Sequence, residues 1–190
     1  VKVVTGIRRC GKSSLLKLMV EHLKETGVSD EQIIEMNFES HDFRSMTADD
    51  IYQYVRARTV PQKRMYLFFD ELQRIEAWEN AINAFRVDLD CDIYVTGSNA
   101  YLLSSEYSTY LSGRCVEIKM LPLSFREFVS ATGGEANLPK AYRQYVESSS
   151  FPYALALLDH PKELRDYLEG IYNTVVVKDL ASRKKIPDVM

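Results

Sequence analysis

The sequence predicts an α/β fold in which short buried strands alternate with amphipathic helices around an open sheet, followed by a smaller helical segment. Three observations predict it. A β-branched run, Val1–Thr5, feeds a glycine loop reading G-x-x-x-x-G-K-S from Gly6 to Ser13, and a helical pattern leaves that loop. A second apolar run, Met65–Phe69, ends in Asp70-Glu71. Further β-rich runs at 33–38, 93–99 and 115–120, with helical spacing in several of the gaps, complete the alternation of an α/β domain.

Each element follows in order. Val1–Thr5 is short, β-branched and bounded by Gly6, as a buried strand is. After Lys12, the residues Leu15, Leu16, Met19, Val20 and Leu23 recur at helical intervals, Lys17, Glu21, Lys24 and Glu25 take the other face, and Gly27 marks the stop. A strand, a glycine loop and a helix in this order form the context that a phosphate-binding loop requires. The alternative is a glycine turn capping a core helix, and the flanking pattern argues against it.

In that reading Gly6 and Gly11 allow backbone conformations and close approaches that a Cβ would forbid. Backbone N–H groups of residues 8–13 and the positive end of the helix face phosphate oxygens. The expected nucleotide-binding set is Gly6, Ile7, Arg8, Arg9, Cys10, Gly11, Lys12, Ser13 and Ser14. Lys12 would reach the β- and γ-phosphates of a bound nucleotide, and the Ser13 hydroxyl would ligate Mg²⁺.

A strand at Ile33–Phe38 and a helical stretch near Ala48–Arg58 come next. The run Met65–Phe69 then reads as a buried central strand with Asp70 at its carboxyl tip, the edge at which open α/β sheets bind ligands. Asp70 would hold the Mg²⁺ shell through water. Glu71 would polarise a water for attack on the γ-phosphate. The competing reading is a surface acidic pair at a strand end. A whole strand unit separates the loop from Asp70, and Glu follows Asp directly, a pattern of the large ATPase division of phosphate-loop proteins and not of GTPases; no N-K-x-D guanine-reading motif occurs, so adenine is the expected base.

The run Ile93–Asn99 is the next strand, and Ser98 or Asn99 at its tip would either contact the γ-phosphate or the attacking water, or cap the helix expected at Tyr101–Leu103. Gly113-Arg114 precedes a last strand at Cys115–Met120. Arg114 is either an arginine reaching toward a neighbouring subunit's γ-phosphate or a surface cation neutralising nearby acids.

Gly133-Gly134 marks a break, so residues 1–132 are expected to form the sheet domain and 133–190 a small helical lid. Helices are expected at Tyr142–Ser148, Tyr153–Leu158 and from Lys162 to about Arg183. The cluster Arg183-Lys184-Lys185 is either a solvated helix end or a nucleic-acid contact.

Bulk properties narrow the function classes. A content of 46% hydrophobic and 27% charged residues excludes whole-chain disorder. A net charge of −3 supplies no global basic field for nucleic acid, so DNA binding has no support beyond a local patch. No apolar run is long enough to span a bilayer, and no signal-peptide pattern opens the chain. Cys10, Cys91 and Cys115 lack C-x-x-C spacing, which suits a reducing, cytoplasmic compartment with neither disulfides nor zinc. The chain opens inside a strand without an initiator Met and stops after a basic stretch, so a fragment of a longer protein is expected.

The combined set "TGIRRCGKSSLL", "YLFFDELQ", "IYVTGSNAYLL" and "LSGRCVEIKMLPLSFREF" resembles the prokaryotic predicted-ATPase family of the AAA+ superfamily, strongly over residues 1–130 and loosely beyond. The resemblance implies a three-layer αβα P-loop NTPase with a parallel sheet ordered 5-1-4-3-2. It implies that Lys12 and Ser13 form Walker A, Asp70 and Glu71 Walker B, Ser98-Asn99 sensor 1 and Arg114 an arginine finger. It also puts Asn37 where such proteins place a residue that restrains the catalytic glutamate. The family usually has Gly-Gly-Phe-Pro where this chain has Ser149-Ser150-Phe151-Pro152, so that turn must be made differently. Its members generally continue into a nuclease-like C-terminal domain. The expected activity is Mg-dependent ATP hydrolysis, with possible homo-oligomers completed through Arg114. The alternative is an ATP-gated switch or scaffold with little hydrolysis. A small-molecule kinase fits less well, because no arginine-rich lid is evident.

Overall fold

The computed structural model describes residues 1–98 and 113–174. Asn99, the helix expected at Tyr101–Leu103 and the basic cluster Arg183-Lys184-Lys185 lie outside the described residues. The chain divides into two compact units, Val1–Ile7 with Lys12–Met120 and Arg8–Gly11 with Leu121–Met190.

The first unit is built on five parallel strands: β1 (Lys2–Gly6), β2 (Ile33–Asn37), β3 (Met65–Asp70), β4 (Cys91–Ser98) and β5 (Val116–Lys119). They lie in the order β2-β3-β4-β1-β5, which read from the other edge is the expected 5-1-4-3-2. Helices α1 (Lys12–Glu25), α2 (Ala48–Arg56) and α3 (Trp78–Asp88) complete the layers.

The alternation of side chains along a strand explains how one sheet supplies two cores. Val3, Leu67, Phe69, Ile93 and Val95 join Ile51 and Val55 of α2 and Trp78, Ile82 and Phe85 of α3. Their neighbours Val4, Phe68 and Tyr94 turn the other way and join Leu16 and Val20 of α1. Phe68 and Tyr94 stack with ring centroids 4.6 Å apart. Burying side chains such as Phe69 and Phe85 contributes roughly 2–3 kcal/mol each and holds the strand tips in register.

That register sets the functional edge. Gly6 pairs with Ser98, Asn37 with Asp70, and Phe69 with Val95. The carboxyl ends of β1, β2, β3 and β4 therefore reach one edge of the sheet together.

The second unit carries α4 (Phe125–Thr132), α5 (Leu138–Ser148), a 3₁₀ turn at Pro152–Leu157 and α6 (Pro161–Tyr172). Ser124 caps α4 in a reciprocal box with Glu127, and Gly133 ends the helix at φ 65°, the left-handed conformation that glycine adopts without strain. Tyr145 donates its hydroxyl to the Leu123 carbonyl at 2.9 Å, and its ring meets Phe125 and Phe128. Arg9, grouped with this unit, holds its guanidinium 5.3 Å from the Tyr167 ring centroid. The departure at Ser149 now has a physical form. Ser149 sits at φ 75°, ψ 166°, a region that is nearly glycine's alone, so this chain makes the turn under strain where a glycine would relax. No helix among the described residues is long and apolar enough to cross a membrane.

Candidate functional site at the carboxyl edge of the sheet

The glycine loop joins the end of β1 to the first turn of α1. Arg9 stands at φ 64° and Gly11 at φ 104°, so successive residues alternate in hand, the geometry that turns neighbouring N–H groups into an anion-binding concavity. Of the two motif glycines, Gly11 has a φ that demands glycine. Gly6 instead closes β1 as a buried strand residue. Ile7, Arg8 and Arg9 are exposed and Cys10 is buried. Ser13 and Ser14 are exposed on the first turn of α1, which contains no acidic residue to compete for an anion.

Lys12 is only 5% exposed, and its ammonium donates to the carbonyls of Gly6 and Ile7, each at 3.2 Å. No described carboxylate forms an ion pair with it. A buried cation held by two neutral carbonyls is under-compensated. This donor set fits a polyanionic phosphate.

The acidic tip of β3 is organised by residues distant in the chain. Asp70 is 8% exposed, and both its oxygens are engaged. The Thr96 hydroxyl donates to Oδ1, and the Asn37 amide donates to Oδ2 at 3.1 Å. Thr96, fully buried in β4, also accepts the backbone N–H of Glu71 at 3.1 Å. One hydroxyl thus ties the carboxylate of Asp70 to the backbone of the next residue. Each Asp70 oxygen accepts one bond from a neutral donor and keeps further lone-pair capacity. Such a carboxylate fits an ordered water in the shell of Mg²⁺.

Glu71 turns the chain out of the strand at φ 57°, ψ 39°, an uncommon conformation for a residue with a side chain. The Thr96 bond and the burial of Leu72 and Ile75 on the turn that follows compensate that strain. The Glu71 carboxylate accepts a bond from the Gln73 amide at 2.6 Å.

Several expectations are resolved by this geometry. Gly6 and Lys12, the two ends of the loop, come together with Asp70 and Glu71 at one sheet edge. Asn37, which the resemblance casts as a restraint on Glu71, instead donates to Asp70 and accepts the Glu39 N–H at 2.8 Å. Ser98 pairs beside Gly6, on the edge that carries the loop. Arg114 is exposed in the turn before β5, and its carbonyl accepts from the Val1 amine at 3.4 Å. That puts it at the amino edge of the sheet, a strand length of roughly 16 Å from the loop at about 3.3 Å per residue.

Sequence reasoning missed Thr96 and Gln73. A signal for Thr96 existed: a hydroxyl in a central strand between Val95 and Gly97 must find a buried partner. Nothing comparable marked Gln73.

Among curated proteins, one similar to this chain is an uncharacterized protein of Haemophilus influenzae, 38% identical over 193 aligned positions that cover 99% of this chain and 48% of that one. Another is an uncharacterized protein of Methanocaldococcus jannaschii, 30% identical, covering 94% of this chain and 42% of that one. The chain therefore spans somewhat under half the length of these curated relatives. Among solved structures, a DNA polymerase III gamma subunit-related protein of Thermotoga maritima shares the fold at a TM-score of 0.50 and 14% identity, covering 83% of this chain and 53% of that one. A family model for the AAA domain matches residues 1–129, the span that carries both the glycine loop and the acidic strand tip, and the chain belongs to that family of P-loop ATPases.

Proposed function

We propose that this domain binds ATP with Mg²⁺ and hydrolyses it to ADP and phosphate, driving a conformational change in a larger protein. The observation that carries the reading is the buried Lys12 ammonium, paired with no carboxylate among the described residues, on the same sheet edge as Asp70 and Glu71. Lys12 and the backbone N–H groups of residues 8–13 bind the phosphates. Ser13 and Asp70 hold Mg²⁺, which offsets the negative charge of the phosphates. Glu71 accepts a proton from water as the water oxygen bonds to the γ-phosphorus and the bond to the β–γ bridging oxygen breaks. Ser98 or Asn99 contacts the γ-phosphate or the water.

Arg114 sits too far from its own loop to serve it, so in this reading it serves a neighbouring copy, as an arginine supplied in trans does. Residues 1–132 act as the ATPase domain and 133–190 as its helical lid.

Steady-state Mg·ATP hydrolysis across a protein-concentration series, with Lys12→Ala as the blank, tests this. Specific activity should rise with concentration, and Glu71→Gln should abolish turnover while ATP stays bound. Tight ATP binding with flat, negligible turnover would instead support an ATP-gated switch. Unchanged hydrolysis by Glu71→Gln would remove Glu71 from its role.

A further inference from the structure

We propose that Gln73 is a positioning residue for Glu71, fixing the carboxylate in the orientation from which it accepts a proton from water; this rests on the reading of Glu71 given above. The Gln73 Nε2 donates to Glu71 Oε2 at 2.6 Å, a short bond to a carboxyl oxygen. The other end of the same amide, Oε1, is buried without a hydrogen-bond partner among the described residues. The side chain thus keeps its bond to Glu71 while half of its own polar capacity is unmet.

The turn that carries Gln73 is rigid. Its start is fixed by the Glu71 N–H on Thr96, and its backbone closes through Arg74 N to Glu71 O at 3.2 Å and Ile75 N to Leu72 O at 3.0 Å. Leu72 and Ile75 anchor it in the core, and Arg74 forms an ion pair with Glu39 in the segment after β2. Asn37 holds Asp70 with one end of its amide and the Glu39 N–H with the other, so the bond to Glu71 in this structure comes from Gln73.

A flexible glutamate must lose rotamer freedom before it can align a water. A glutamate held at Oε2 from a rigid turn has lost it beforehand and keeps Oε1 for the water. Removing the hold therefore acts on turnover and leaves ATP binding alone.

Two measurements test this. In hydrolysis assays Gln73→Ala should lower kcat about tenfold while KM for ATP moves less than about twofold. Gln73→Glu, which keeps the shape but loses the N–H donor, should fall at least as far, whereas a packing role would be rescued by it. In ¹⁵N-edited NMR of the nucleotide-free chain, the Gln73 side-chain amide should shift in Glu71→Ala, a readout independent of turnover. Hydrolysis lost in Glu71→Gln but unchanged or faster in Gln73→Ala would overturn the positioning role alone. A Gln73 amide resonance that ignores Glu71→Ala would overturn it even without turnover. Hydrolysis surviving Glu71→Gln would overturn the role of Glu71 and that of Gln73 with it.

Discussion

The two ends of the glycine loop, Gly6 and Lys12, and the acidic tip of β3 belong to the same sheet edge, yet loop and tip are made by opposite means. The loop is one contiguous segment whose lysine is held by carbonyls five and six residues away. The tip is assembled from three strands: Asp70 is held by Asn37, 33 residues earlier, and by Thr96, 26 residues later. The loop's chemistry is carried by its backbone, exposed hydroxyls and one buried lysine held by the loop's own carbonyls, while the tip's is carried by buried polar groups from different strands that depend on each other. Function can therefore be removed from the loop without touching the fold. At the tip the two are the same bonds.

The largest expected effect comes from Thr96→Val. It preserves shape but leaves Asp70 Oδ1 and the Glu71 N–H without their shared partner. One buried and one half-buried group at about 1–3 kcal/mol each predict a loss of roughly 2–6 kcal/mol in urea unfolding. Ser13→Ala is the matched change on the loop. It should move stability by less than about 0.5 kcal/mol while making ATP binding insensitive to chelation of Mg²⁺ by EDTA. If Thr96→Val were as mild as Ser13→Ala, the contrast between loop and tip would collapse.

The same contrast explains what could be read from the sequence. The loop, the strands and the helices at 12–25 and 48–56 are written in contiguous residues, through glycine placement and hydrophobic period, so they were legible. The strand order was not, and it came only with the family resemblance. The partners of Asp70 were illegible because a hydrogen bond across three strands leaves no periodic trace. The resemblance pairs Asn37 with Glu71, whereas in the structure it holds Asp70, since one residue of register decides between the two acids. The stretch expected as a helix at Tyr153–Leu158 forms a 3₁₀ turn from Pro152 to Leu157, and Pro161 holds His160 at φ −125°, ψ 72°, outside the helical region, so the segment has no room for a longer ladder.

A second comparison concerns strain. Glu71 and Ser149 both hold positive φ, at 57° and 75°. The strain at Glu71 aims a carboxylate and is secured by Thr96, whereas no such chemistry accompanies Ser149, at the end of α5. Ser149→Gly should therefore raise the unfolding free energy by about 1 kcal/mol, read in urea with hydrolysis unaffected. No gain in stability would mean that the Ser149 turn is compensated by contacts of its own.

The smallest effect probes devices that are local in both units, and hence cheap to lose. Thr47 with Asp50 and Ser124 with Glu127 are the same reciprocal cap, opening α2 in one unit and α4 in the other. The Asp50 carboxyl is held below its usual range chiefly by the Thr47 backbone N–H, and Glu127 chiefly by the Ser124 hydroxyl. A depressed folded-state value means that the cap's contribution is complete above the ordinary carboxylate range, about 4. It fades as pH falls through the lower folded value, when the carboxyl takes a proton and stops accepting. Both groups are exposed, so this should appear in their own titrations before it appears in global unfolding. Ser124→Ala removes the larger of the two bonds to Glu127 and should move its NMR titration midpoint upward, leaving Asp50 unchanged in the other unit. A Glu127 midpoint indifferent to Ser124 would mean that this cap is a crossing of side chains and not an interaction, and only the Thr47 box would remain as a working example of the motif.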